Sequence, residues 1–142
     1  MMPRLLVLCA FLAAAAGCDS PGGPPVVVAN LVVTAPGAGM PMAAGYLEIS
    51  NRSSEAIRIN RVSSPEYGSV EMHETLIEDG VARMREIPVL EIAAGDTVVF
   101  ERGGKHLMLK QPVGTPETVS LNFNSDEVLL LSINTEFAAS FD

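Results

Sequence analysis

The chain has 142 residues, enough for one domain and too few for two. Its formal net charge is −8, with 9 basic against 17 acidic residues and no long run of either sign. That balance excludes a nucleic-acid-binding surface and a basic membrane-binding face, and reads as a solvated exterior.

Taken in chain order, the first element is a leader. "MMPR" is a short basic start and "LLVLCAFLAAAA" a 12-residue apolar run, too short to span a bilayer and suited to the hydrophobic region of a signal peptide. The small residues that follow end at Cys18 in "AAGCDS", a pattern that resembles a bacterial lipobox with Ala15 in place of the usual Leu. Residues 1–17 are therefore expected to be a lipoprotein signal peptide and Cys18 the lipid-modified N-terminus. Asp19 resembles a signal for retention in the inner membrane, so the expected location is periplasmic and membrane-tethered. Cys9 leaves with the signal, so no thiol remains beyond Cys18, and neither a disulfide nor a thiolate metal site nor a Cys nucleophile can form there. "DSPGGPP" (19–25) reads as a flexible tether.

From residue 26 onward the text turns into short Val-, Ile- and Thr-rich runs broken by Gly, Pro and Asn. Strands are expected near 26–34, 45–50, 55–63, 68–76, 81–87, 96–101, 105–110, 117–124 and 127–134. Several alternate with period 2, as Val119, Leu121 and Phe123 do against Ser120 and Asn122. "EDG" at 78–80 reads as a hairpin turn. No stretch after the leader keeps a helical period, so the domain at 26–142 is all-β, an antiparallel sandwich or barrel.

The chemistry concentrates in a few residues. The two histidines, His73 and His106, each lie in an expected strand near methionine, in "EMHET" (71–75) and "HLM" (106–108). On a strand His106 and Met108 share a face, while Leu107 and Leu109 take the other. The hairpin over 68–87 returns Met84 toward His73. A two-His, two-Met cluster is thus geometrically available. Two imidazoles with two neutral, soft thioethers suit Cu(I), whereas Mg²⁺ and Ca²⁺ want oxygen and structural Zn²⁺ wants thiolate or several imidazoles. Only the imidazoles compete with protons, so binding should weaken below about pH 6.5. The competing bland reading makes each methionine core filler and each histidine a hydrogen-bonded structural residue.

The spacing His-X10-Met-X21-His-X-Met, here His73, Met84, His106 and Met108, resembles the signature of the periplasmic copper chaperones called PCuAC. "DGVARMR" (79–85), "LEIAAGDTV" (90–98), "GGKHLML" (103–109) and "AAGYLEISN" (43–51) are similar to that family as well. The resemblance covers roughly residues 26–135. It implies a cupredoxin-like Greek-key β-sandwich with its ligands at one exposed end, holding one Cu(I) per chain. It further implies delivery to the subunit of cytochrome c oxidase that carries the binuclear copper centre, with a thiol-containing copper assembly protein as a further partner. The alternatives are copper storage, or a structural lipoprotein without metal transfer. An enzyme is not expected, and the chain should be monomeric. Two features depart from the family: Arg102 replaces the proline that often precedes the Gly-Gly turn, and the segment 110–119 lacks the usual charged loop.

Other residues read more plainly. Met72 is expected in the core, and Tyr46 and Tyr67 as structural. Met40 and Met42 flank Pro41 in an irregular loop, where ordinary packing competes with a role as auxiliary thioethers. Glu71 and Glu74 are expected to form cross-strand ion pairs with Arg83 and Arg85.

Overall fold

The computed structural model describes residues 24–36 and 40–138; the leader, Cys18 and Asp19 lie outside them. Eleven strands make up the described residues, with no helix among them. They are β1 (Val26–Thr34), β2 (Met42–Asn51), β3 (Ile57–Ile59), β4 (Arg61–Ser63), β5 (Tyr67–Glu78), β6 (Val81–Glu86), β7 (Leu90–Ile92), β8 (Thr97–Phe100), β9 (Lys105–Pro112), β10 (Thr118–Ser125) and β11 (Val128–Ala138). β1 begins and ends where the sequence places it. The stretch 55–63 divides in two at Asn60, and β7 has no counterpart among the expected strands. It is three residues long, too short for a period to show.

The main sheet runs β1-β11-β10-β4-β5-β9-β2-β8, and β1 also pairs with β2, so the sheet closes on itself. Closure removes most free edges. The pairings are antiparallel except β1 with β11, which is parallel through Val33↔Phe137 and Thr34↔Ala138. The uniformly antiparallel expectation therefore fails at one seam, where the two ends of the domain meet. β3 and β7 form a separate two-stranded sheet.

Alternation fills the interior. In β2, Ala43, Gly45, Leu47, Ile49 and Asn51 are buried, while the residues between them are half-buried. Leu107 and Leu109 of β9 are fully buried beside them, with Val119, Leu121 and Phe123 of β10. Gly45 faces Leu107 across the β2–β9 ladder. A Cβ at Gly45 would lie 3.2 Å from the Leu107 Cβ, so this glycine lets β2 approach the strand that carries His106 and Met108. Met72 and Tyr67 are buried, as expected of core residues.

β6 stands apart: it pairs only with β5, and all six of its residues are exposed. The hairpin that carries it turns at Asp79 and Gly80, both at positive φ (51° and 77°), the type I′ geometry that Asp-Gly favours.

Candidate metal centre

Strand register brings the four singled-out residues to one outer face. His73 and His106 are direct partners across β5–β9, and Glu71 faces Met108 on the same ladder. Thr75, two residues beyond His73 and so on the same side, faces Met84 across β5–β6. His106, Met108, Met84 and Thr75 line a single cleft of about 490 Å³. His73 is not part of the cleft wall; its ring centroid lies 5.9 Å from that of His106 and the two rings are tilted by 53°. Metal–nitrogen bonds of roughly 2 Å, added to the half-width of each ring, allow one ion to sit between rings so placed.

The hydrogen bonds select a nitrogen on each ring. Glu71 Oε2 lies 2.8 Å from His73 Nε2 and 2.6 Å from Lys110 Nζ. The Lys110 ammonium, and after it the His73 N–H, hold the Glu71 carboxyl below its ordinary range. An ionised carboxylate only accepts, so His73 Nε2 carries the proton and Nδ1 bears the lone pair. That Nδ1 is buried and has no hydrogen-bond partner. Leaving such an atom unsatisfied costs about 1–3 kcal/mol, a cost that metal coordination removes.

On the other ring, Nδ1 lies 3.2 Å from the Gly104 carbonyl, which also accepts the Thr75 N–H at 3.1 Å. A carbonyl likewise only accepts, so His106 Nδ1 donates and Nε2 is left with the lone pair. Each imidazole thus has its second nitrogen anchored, as metal-ligating histidines do. His106 is 9% exposed and Met84 is 59% exposed; one side of the candidate site is a fixed wall and the other an open arm. Among the described residues no three His, Cys, Asp or Glu side chains are grouped to hold a metal ion. The candidate donors at the cleft are the two imidazoles and the thioethers of Met84 and Met108. This donor set fits a soft monovalent ion.

The expected ion pairs take other partners. Glu74 binds Lys105 at 2.7 Å and Glu71 binds Lys110, both across β5–β9, whereas Arg83 and Arg85 both reach Glu78 within the hairpin. β9 lies on one side of β5 and β6 on the other, and the carboxylates turn toward the lysines. Glu71 as the orienting group for His73 escaped sequence reading, although E-x-H in a strand puts both side chains on one face. Met42 belongs to β2 rather than to an irregular loop, and with Met40 it lines the cleft. Arg102 also lines it, its guanidinium carbon 5.6 Å from the ring centroid of Tyr46.

Residues 26–136 match the family described as "Putative lipoprotein LpqE-like". The chain belongs to this LpqE-like family. Its sequence is 31% identical over 100 residues to "Putative lipoprotein Lxx21020" of Leifsonia xyli, covering 68% of this chain and 59% of that one. It is 28% identical over 68 residues to "Uncharacterized protein RP573" of Rickettsia prowazekii, covering 47% and 38%. The LpqE-like chain thus spans less than two thirds of either curated relative. Among solved structures it resembles the copper-bound PCuAC domain from PmoF2, with a TM-score of 0.60 at 17% identity over 82% of this chain and 92% of that one. The solution structure of CuI-DR1885 from Deinococcus radiodurans gives a TM-score of 0.56 at 26% identity, covering 90% and 83%. The fold of this LpqE-like chain is the cupredoxin-like fold of PCuAC domains.

Proposed function

We propose that the protein is a non-enzymatic Cu(I) carrier, held outside the cytoplasm by lipid on Cys18. One ion is held by His73 Nδ1, His106 Nε2 and the sulfurs of Met84 and Met108. The observation that carries this reading is the buried, unpartnered Nδ1 of His73, on a ring 5.9 Å from a second imidazole whose own Nδ1 is anchored. Membership of a lipoprotein family and likeness to a Cu(I)-bound relative support it.

The geometry suggests how such a carrier works. The histidines sit on adjoining strands of the closed sheet and define the position of the ion. Met84 rides on the exposed hairpin, so its sulfur is the ligand an incoming donor group displaces first. The ligand set is neutral and its ion is exchanged without electron transfer. The recipient that matches this chemistry is the binuclear copper centre of cytochrome c oxidase.

Anaerobic Cu(I) titration against a competing chelator tests the binding step. One tight equivalent is expected, lost or greatly weakened in His106→Ala and in Met108→Leu while circular dichroism stays unchanged. Unweakened binding by both folded variants would remove these residues from the site. Incubating the loaded protein with the apo form of the oxidase copper domain tests delivery; copper that stays put would favour storage.

A further inference from the structure

Met40 and Met42 have no part in the four-ligand site, yet both line its cleft together with Met84, His106 and Met108. Met42 lies two residues from Ala44, the register partner of Met108 on the β2–β9 ladder. Met42 and Met108 are therefore diagonal neighbours on one face, roughly 7–8 Å apart at the backbone and within reach of long unbranched side chains. Met40 precedes them at the cleft mouth and is 57% exposed. Its sulfur is therefore open to solvent beside the other cleft thioethers. Thioethers bind soft monovalent cations and need no deprotonation to do so.

We propose that Met40, Met42 and Met108 form a second, outer position for a soft monovalent metal ion at the mouth of the cleft. The copper-carrier reading identifies the natural ion as Cu(I); the outer position itself requires neither histidine. Met108 is common to both positions, so an ion passes between them by keeping one sulfur while exchanging Met40 and Met42 for the imidazoles and Met84. No electron is gained or lost in that exchange. The outer position offers thioethers and no imidazole, so it is the weaker of the two, suited to loading and release.

Ag(I), a redox-inert soft ion, is the probe, read through the ¹³C-methyl resonances of methionine. In the wild type, Met84 and Met108 respond to the first equivalent, which takes the sulfur that the outer position needs. In His73→Ala/His106→Ala, Ag(I) is expected to move the Met40, Met42 and Met108 methyls together and saturably. Buried Met72 stays fixed in both and serves as the internal reference. Adding Met40→Leu and Met42→Leu, which nearly conserve volume, should weaken that residual binding by roughly tenfold or more. If Met84 and Met108 respond in the wild type while Met40 and Met42 stay silent in His73→Ala/His106→Ala, or if the leucine variants bind as before, the outer position is overturned and the inner one stands. A wild type in which no methyl responds overturns both.

Discussion

Two side chains that the barrel largely shields from water, Asn51 and His73, are treated in opposite ways. Asn51 closes the inward row of β2 and is 1% exposed. Its amide donates to the carbonyls of Glu55, Ile92 and Ala93, and its Oδ1 accepts from the backbone N–H and hydroxyl of Ser53. The amide's donors and its carbonyl are all in use, and the result ties β2, the 52–55 loop and the end of β7 together. His73 has one nitrogen fixed and the other left bare. A polar group with all its partners holds structure together, whereas one with a partner withheld is available for a ligand.

Substitution at both positions can break this comparison. Asn51→Ala orphans several buried groups and should cost about 3–5 kcal/mol in denaturant unfolding. His73→Leu removes the bare nitrogen and leaves Glu71 its lysine, so unfolding of the metal-free protein should shift by less than about 1 kcal/mol. Copper affinity should collapse in that same variant. Comparable destabilisation by the two changes would make His73 a structural residue and end the contrast.

A smaller effect sharpens it. Glu71→Ala keeps every proposed ligand but frees the His73 ring and its tautomer, and should weaken Cu(I) binding roughly 10- to 100-fold. Long-range ¹H–¹⁵N spectra of the metal-free protein should show the proton on Nε2 in the wild type and a mixture of tautomers in the variant. Weakened copper with an unchanged tautomer would refer the loss to charge alone.

The smallest effect lies away from the candidate site. Burial raises the pKa of the Glu66 carboxyl, but the Ser120 N–H and the Ser64 and Ser120 hydroxyls outweigh it and leave the group below its ordinary range. A carboxyl depressed on folding stabilises the protein above the ordinary carboxylate range and loses that contribution as pH falls through the folded value. Glu66→Gln should therefore unfold more easily than the wild type at neutral pH, and the gap should narrow on acidification. A gap independent of pH would assign Glu66 a packing role only.

Much of the site is written locally. The offset between His106 and Met108 fixes their shared face, because side chains alternate along any strand. Asp79-Gly80 fixes the hairpin that returns Met84, because both residues accept positive φ. Local pattern also separates Leu107 and Leu109, which are buried, from Met108 between them, which is half-buried.

What tertiary structure alone decided depends on pairings between distant strands. Glu71 meets Lys110 and not an arginine because β9, 39 residues away at that contact, flanks β5 on that side. Met42 enters the cleft because β2 pairs with β9 in a register that Gly45 permits. The parallel seam between β1 and β11 joins the two ends of the domain. Which nitrogen of each ring is anchored, and which is left for a ligand, follows from Glu71 and from the Gly104 carbonyl, whose position the turn before β9 sets. Periodicity reports which face a side chain takes; it carries no information about which strand lies beside it, because register is fixed by long-range packing in the closed sheet.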